Sequence, residues 1–185
     1  MNGVCMAGEL AVSDSGPIVH LFEVGELNSL RIVRRLLIPP EVARELKKGE
    51  CAAELAKLDW IEEGSLTGRA VDRAAGIARK WGLQLGEAET IALSLELGVG
   101  LIFTDDLEAR AVAKGLGLEP HGSVGILLRA YRESILSADE AIAVLKRLHS
   151  KSSLYITLDL VKRAVEAVRR EADAHTRRGG CLGAP

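Results

Sequence analysis

Apolar residues along this chain follow two alternating rhythms. Short unbroken apolar runs occur at Leu10-Ala11-Val12-Ser13, Leu36-Leu37-Ile38 and Leu101-Ile102-Phe103-Thr104. Between them lie longer stretches with apolar positions every three or four residues. Buried parallel strands read as continuous apolar runs, so this alternation predicts an α/β fold with a mainly parallel sheet. Asp59 to Glu63, an edge-like segment, and Leu118 to Pro120 supply two further short strands, about five in all.

The helical pattern is punctuated by proline and glycine. Gly16-Pro17 opens a helix to about Val24, since proline suits a first helical turn. Leu27 to Arg35 reads as a second helix, with Leu27, Leu30, Ile32 and Val33 inward. Pro39-Pro40 starts a third, Glu41 to Lys48, and Cys51 to Leu58 reads as another. Arg69 to Lys80 has Val71, Ala74, Ala75 and Ala78 as its inward set and stops at Gly82. Glu87 to Leu97 lies between Gly86 and Gly98, Leu107 to Lys114 ends at Gly115, and Ser123 to Tyr131 follows. Ser137-Ala138-Asp139-Glu140 has capping-box spacing and begins a helix to about His149. Thr157 begins the last, with Leu160, Val161, Ala164, Val165 and Val168 on one stripe. The implied division is an extension at 1–9, an α/β domain at 10–136, a helical extension at 137–173 and a Gly- and Arg-rich disordered tail at 174–185.

Composition narrows the picture. The 185 residues are 48% hydrophobic and 27% charged, which suits one globular domain with a short appendage. Aromatics are 3%, so the core must be aliphatic. A net charge of −2 excludes a purely electrostatic nucleic-acid binder. Any such role must rest on a local basic patch or on metal ions. No apolar run approaches the roughly 20 residues that span a bilayer. Met1 to Glu9 lacks a basic region followed by an apolar one, which predicts no secretion signal and a cytoplasmic protein. Cys5, Cys51 and Cys181 are scattered and odd in number, against both a disulfide framework and a zinc site. The four histidines show no metal-ligand spacing either.

The chemistry lies in the acids. Two strands end in aspartate, the first at Asp14 and the later one at Asp105-Asp106. Open α/β sheets bind ligands beyond the carboxyl ends of their strands. If these two strands are neighbours, their acids meet in one crevice, and mutual repulsion calls for a cation. Each acid also has a plain structural reading. Asp14 and either member of the doublet can cap the following helix. Glu45, mid-helix beside Leu46, reads alone as a solvated residue near Lys48. Glu87 and Glu89 suit the positive end of the helix dipole.

Four blocks in register resemble the PIN-domain family, including VapC-type ribonuclease toxins, and more narrowly a prokaryotic PIN branch of predicted nucleic-acid-binding proteins. They are Val12-Ser13-Asp14-Ser15-Gly16-Pro17-Ile18-Val19, Ile38 to Leu46, Gly86-Glu87-Ala88-Glu89-Thr90-Ile91-Ala92-Leu93-Ser94, and Leu101 to Asp106. The resemblance implies a three-layer α/β/α fold, a sheet ordered 3-2-1-4-5 and a C-terminal helical extension. It implies Asp14, Glu45, Glu87 and Asp106 as the catalytic acids, with Asp105 open as the alternative metal ligand. Ser15, Thr104 and Glu89 would be supporting residues. The third acid is Glu where the family more often has Asp, which lengthens its reach.

Oxygen-only ligands with room for water suit one or two Mg²⁺ or Mn²⁺ ions, and a metal pair can hydrolyse a phosphodiester. The expectation is therefore a metal-dependent endoribonuclease acting on single-stranded RNA. Arg110 and Lys114, at i,i+4, are candidates for the phosphate backbone, with Arg31, Arg34 and Arg35 a second cluster. Trp60 and Trp81 suit core packing better than base stacking. The resemblance also implies a homodimer and a small antitoxin partner, with a toxin role. Ile142, Leu145, Leu148, Val161 and Val165 offer an apolar stripe for an interface or for packing on their own domain. Competing readings are a PIN-like binding module or antitoxin that does not cut, and a phosphoacceptor receiver domain. A haloacid-dehalogenase phosphatase would need a second Asp where Gly16 stands.

Overall fold

The computed structural model describes residues 10–179, with side chains to residue 174. The extension at 1–9, the end of the tail at 180–185, and with them Cys5 and Cys181, lie outside the described residues. Five strands form one sheet: β1 (Leu10–Ser13), β2 (Arg35–Ile38), β3 (Ile61–Glu63), β4 (Leu101–Phe103) and β5 (Glu119–His121). All pairings are parallel, in the order β3-β2-β1-β4-β5. Val12 lies opposite Leu37 on one side and Ile102 on the other.

Strand side chains alternate between two cores. Ala11, Leu36, Ile38, Leu101 and Phe103 join one apolar cluster, while Val12, Leu37 and Ile102 join another. The first cluster is closed by α1 (Ser15–Glu23), a 3-10 turn (Leu27–Ile32), α2 (Pro40–Leu46), α7 (Ser123–Arg132), α8 (Ala138–Lys151) and α9 (Leu158–Gly179). The second is closed by α4 (Gly68–Trp81), α5 (Leu85–Leu97) and α6 (Leu107–Gly115). Helices on both faces of a parallel sheet give the three-layer α/β/α arrangement. A single-turn helix, α3 (Ala52–Leu55), leads to β3.

Several boundaries differ from the sequence reading. Leu27 to Arg35 is not one helix: a 3-10 turn ends at Ile32, Val33 is extended at φ −127°, and Arg35 already belongs to β2. The β-branched pair Ile32-Val33 disfavours continuing the helix. The inward stripe of α4 is rotated by one residue. Ala70, Ala74 and Ile77 are buried, whereas Val71 is 50% exposed. Thr157 precedes α9 and its hydroxyl accepts from the Leu160 amide at 3.3 Å. α9 runs on to Gly179, past the boundary placed at 173.

The C-terminal helices belong to the same core as α1. Leu145, Leu148, Val161, Ala164, Val165 and Val168 are buried within the chain and Ile142 is partly buried. Leu160 lies at the surface. The stripe suggested for an interface is thus largely taken up by the chain's own domain. Among the described residues no helix is long and apolar enough to cross a membrane.

Candidate functional site

β1 and β4 are parallel neighbours, so their carboxyl ends open on the same edge of the sheet. The Asp14 amide continues the ladder by donating to the Phe103 carbonyl at 2.9 Å, and the Thr104 amide donates to the His121 carbonyl at 3.0 Å. This brings Asp14 beside the Asp105-Asp106 doublet. α2, launched by Pro39-Pro40 straight from β2, delivers Glu45, and the first turn of α5 delivers Glu87. Asp14, Glu45, Glu87, Asp105 and Asp106 line one cavity of about 320 Å³, together with Ser15, His20 and Gln84. Among the described residues no lysine or arginine lines it.

The acids are held in different ways. Asp14 occupies the N-cap position of α1, but its side chain makes no capping hydrogen bond. It is 8% exposed, and the Thr104 hydroxyl donates to its Oδ2 at 3.4 Å. Burial, followed by the charges of Glu87 and Glu45, pushes its carboxyl up to about 6, against the lowering effect of the Ser15 amide and Thr104. Thr104 is buried and its hydroxyl also accepts from the Asp106 amide at 3.3 Å.

Asp106 caps α6, its Oδ1 accepting from the Ala109 amide at 2.7 Å. Asp105 is more fully engaged. Its Oδ1 accepts from the Ser123 amide at 2.7 Å, and its Oδ2 accepts from the Ser123 hydroxyl at 2.6 Å and pairs with His20 Nδ1 at 2.8 Å. Glu87 Oε2 accepts from the Gln84 amide at 2.8 Å. Burial raises the Glu87 carboxyl above its usual range, with Asp106 and Glu45 adding to the effect. Glu89 turns away from this group and accepts from the Glu41 amide at 2.9 Å, bracing the start of α2 against α5.

Gly86 lets the acids approach. A Cβ there would lie 3.3 Å from Val42 Cγ2, 3.6 Å from Glu45 Oε1 and 3.7 Å from Asp14 Oδ1. His20, Gly86, Gln84 and Ser123 do not stand out as site residues in the sequence. Their roles depend on approach in space, and only Gly86, which the structure puts inside the first turn of α5 rather than ahead of the helix, leaves a local trace.

The cations lie elsewhere. Arg110 and Lys114 line a neighbouring groove with Leu107 and Glu119, of about 590 Å³. Arg35 pairs with Glu62 at 2.7 Å, and Arg31 lies 4.8 Å over the Trp60 ring, at the opposite end of β2 from the acids. Trp60 is buried at 7% exposure, and Lys80 lies over Trp81.

The donor set fits a hard divalent ion: carboxylate oxygens, no competing cation in the described lining, and a space open to water. Among the described residues, however, no three His, Cys, Asp or Glu side chains are already gathered into a ready-made ion site. Several of the acids have an oxygen engaged by an amide, and unscreened carboxylates spread apart. Ion binding therefore requires side-chain closure. A receiver domain is set aside, because such folds order their strands 2-1-3-4-5 and need a lysine at the site.

A search of curated proteins found no match. The DUF3368 family model, described as a PIN domain, matches residues 10–170, including α8 and most of α9. With that match over most of its length and the strand order described above, this chain belongs to the PIN-domain family.

Proposed function

We propose that this protein is a metal-dependent endoribonuclease that cuts single-stranded RNA, with Asp14, Glu45, Glu87 and Asp106 as its acidic set. The observation that carries this reading is Asp14. It is a buried carboxylate with no cationic partner among the described residues, facing Glu45 and Glu87 in a cavity lined by five acids. Folding alone gains nothing from such an arrangement, whereas a divalent ion turns the repulsion into ligation. One or two Mg²⁺ or Mn²⁺ ions would supply an activated water and stabilise the leaving oxygen.

The chain's own residues do the rest. Thr104 fixes Asp14 and the Asp106 backbone relative to each other. Ser15 lies on the cavity wall and would support the acids or their waters. Asp105 is committed to Ser123 and His20, which favours Asp106 as the ligand from the doublet. Glu89 is committed to Glu41, which favours Glu87. Arg110 and Lys114, in the adjoining groove, hold the phosphate backbone on its way to the acids. A toxin role, a small antitoxin partner and a homodimer belong to this same reading.

A second reading, nucleic-acid binding without cleavage, draws on the ungathered state of the acids. Incubating single-stranded RNA with the wild type and with Asp14→Asn, in Mn²⁺ and in EDTA, separates the two. The nuclease reading expects cleavage only by the wild type with metal. Cleavage that persists in EDTA or in the variant overturns it, and binding without cleavage favours the second reading.

A further inference from the structure

The segment 152–157, which joins α8 to α9, passes the rim of the acidic cavity. Leu154 lines that cavity and packs, with Ile156, against the core that α1 and α8 share. The segment is tied down on both sides. The Ser153 amide and hydroxyl donate to Glu23 Oε2 at 2.6 and 3.0 Å, on the helix that starts at the cavity. The Ser152 hydroxyl donates to the Leu148 carbonyl, and His149 Nδ1 meets the Ile156 carbonyl at 3.1 Å. Between the two inward-packed residues, Tyr155 is 92% exposed. It is the most exposed of the described aromatic side chains. Arg31 lies over Trp60 and Lys80 over Trp81, but no cation or ring covers Tyr155 among the described residues.

An aromatic side chain buries about 150–250 Å² when it finds a partner, and here that area is left in water. A protein partner is a poor match. A stable protein interface covers roughly 800 Å² on each side, and Tyr155 with exposed Leu158 beside it falls well short. A nucleobase needs only one flat face, and stacking is tolerant of base identity. Position and charge agree. The Tyr155 Cα lies one chain step, about 3.8 Å, from that of Leu154 in the cavity lining. Lys151 ends α8 and Lys162 lies near the start of α9, both exposed, while the nearby Asp159 is paired with Arg163 at 3.1 Å. Aromatic rings set among cations are how proteins hold single strands without reading sequence. An acidic cavity itself repels a phosphate chain, so a strand needs anchorage outside the acids.

We propose that Tyr155 is the platform on which a nucleobase of the bound single strand stacks, at the rim of the acidic cavity. The inference rests on the nucleic-acid reading above, whether or not the strand is cut.

Three variants test it. Tyr155→Ala removes the ring, Tyr155→Phe keeps it without the hydroxyl, and Tyr155→Leu keeps an apolar side chain without a π face. Fluorescence anisotropy of a single-stranded RNA, with Ca²⁺ replacing Mg²⁺ so that binding is read without turnover, should show affinity lower by roughly five- to hundredfold for Ala and Leu. Phe should stay within about threefold of the wild type. The same RNA carrying 2-aminopurine at successive positions should be quenched on binding at one of them, by the wild type and Phe but not by Ala or Leu. Circular dichroism and Mn²⁺ calorimetry should be unchanged throughout, since the side chain is exposed and touches no acid. RNA binding by Ala within about twofold of the wild type overturns the assignment, as does binding restored by Leu or lost equally in Phe. A dimer that Ala converts to monomer, with RNA binding intact, gives the ring to a protein contact instead and also overturns it. Failure of the wild type to bind the strand, with or without divalent ion, overturns the nucleic-acid reading and this inference with it.

Discussion

Replacing Asp14 by asparagine should make the metal-free protein more stable, although it removes the acid at the centre of the site. In the folded chain this carboxyl is pushed from 3.8 to about 6, chiefly by burial and then by Glu87 and Glu45. The folded state therefore holds a proton that the unfolded chain gives up more readily. Its stabilising effect is fully present below pH 3.8 and is lost as the pH rises to about 6. A shift of that size corresponds to about 3 kcal/mol at pH 7. Asparagine keeps the volume and an oxygen for the Thr104 hydroxyl but carries no charge. Urea unfolding in EDTA should find Asp14→Asn ahead by about 2–3 kcal/mol at pH 7, with the two proteins close to equal at pH 4. Added Mn²⁺ should stabilise the wild type and leave the variant nearly unchanged, narrowing or reversing the gap. A variant less stable than the wild type at pH 7 in EDTA would refute the reasoning, since it would mean that the charge is already compensated inside the fold.

Other substitutions separate the roles of neighbouring residues. Gly86→Ala presses a methyl against Val42 Cγ2 at 3.3 Å and sets it in ordinary contact with Glu45 Oε1 and Asp14 Oδ1 at 3.6 and 3.7 Å. It should weaken Mn²⁺ binding in calorimetry by about tenfold, while the tight Val42 contact and the helical preference for alanine leave stability within about 1 kcal/mol. Glu89→Ala should cost about 1 kcal/mol through loss of its bond to the Glu41 amide and leave ion affinity within about twofold, whereas Glu87→Gln should weaken the ion at least as much as it affects stability. The opposite ranking in calorimetry would exchange the two glutamates. Arg110→Ala combined with Lys114→Ala should make RNA binding less sensitive to salt, lowering the log–log slope by about 0.7 for each phosphate no longer neutralised, without changing ion affinity.

Much of this fold was legible because its three central strands are largely buried: Leu36-Leu37-Ile38 and Leu101-Ile102-Phe103 announce themselves as apolar runs bounded by Pro39 and Asp105. The strand order was not contained in those runs; it came with four acidic blocks that resemble one family. The stripe on α4 was misplaced by one residue because alanines surround the pattern and give it little contrast. Within the site, sequence gathered the acids but left each pair ambiguous. Asp105 and Asp106 look alike along the chain, and so do Glu87 and Glu89. Partners 18 and 48 residues away, Ser123 and Glu41, divide the work between them. His20 was passed over for the same reason, since its partner Asp105 stands 85 residues further on.

The central claim is that these acids close around a divalent ion. Anomalous diffraction from a crystal grown with Mn²⁺ tests it most directly. The predicted result is a peak bonded to carboxylate oxygens of Asp14 and Asp106, with Glu45 and Glu87 turned inward and Asp105 still on Ser123. Ordered density for all these side chains with no peak among them at saturating Mn²⁺, or a peak held by Asp105 and His20 instead, would contradict it.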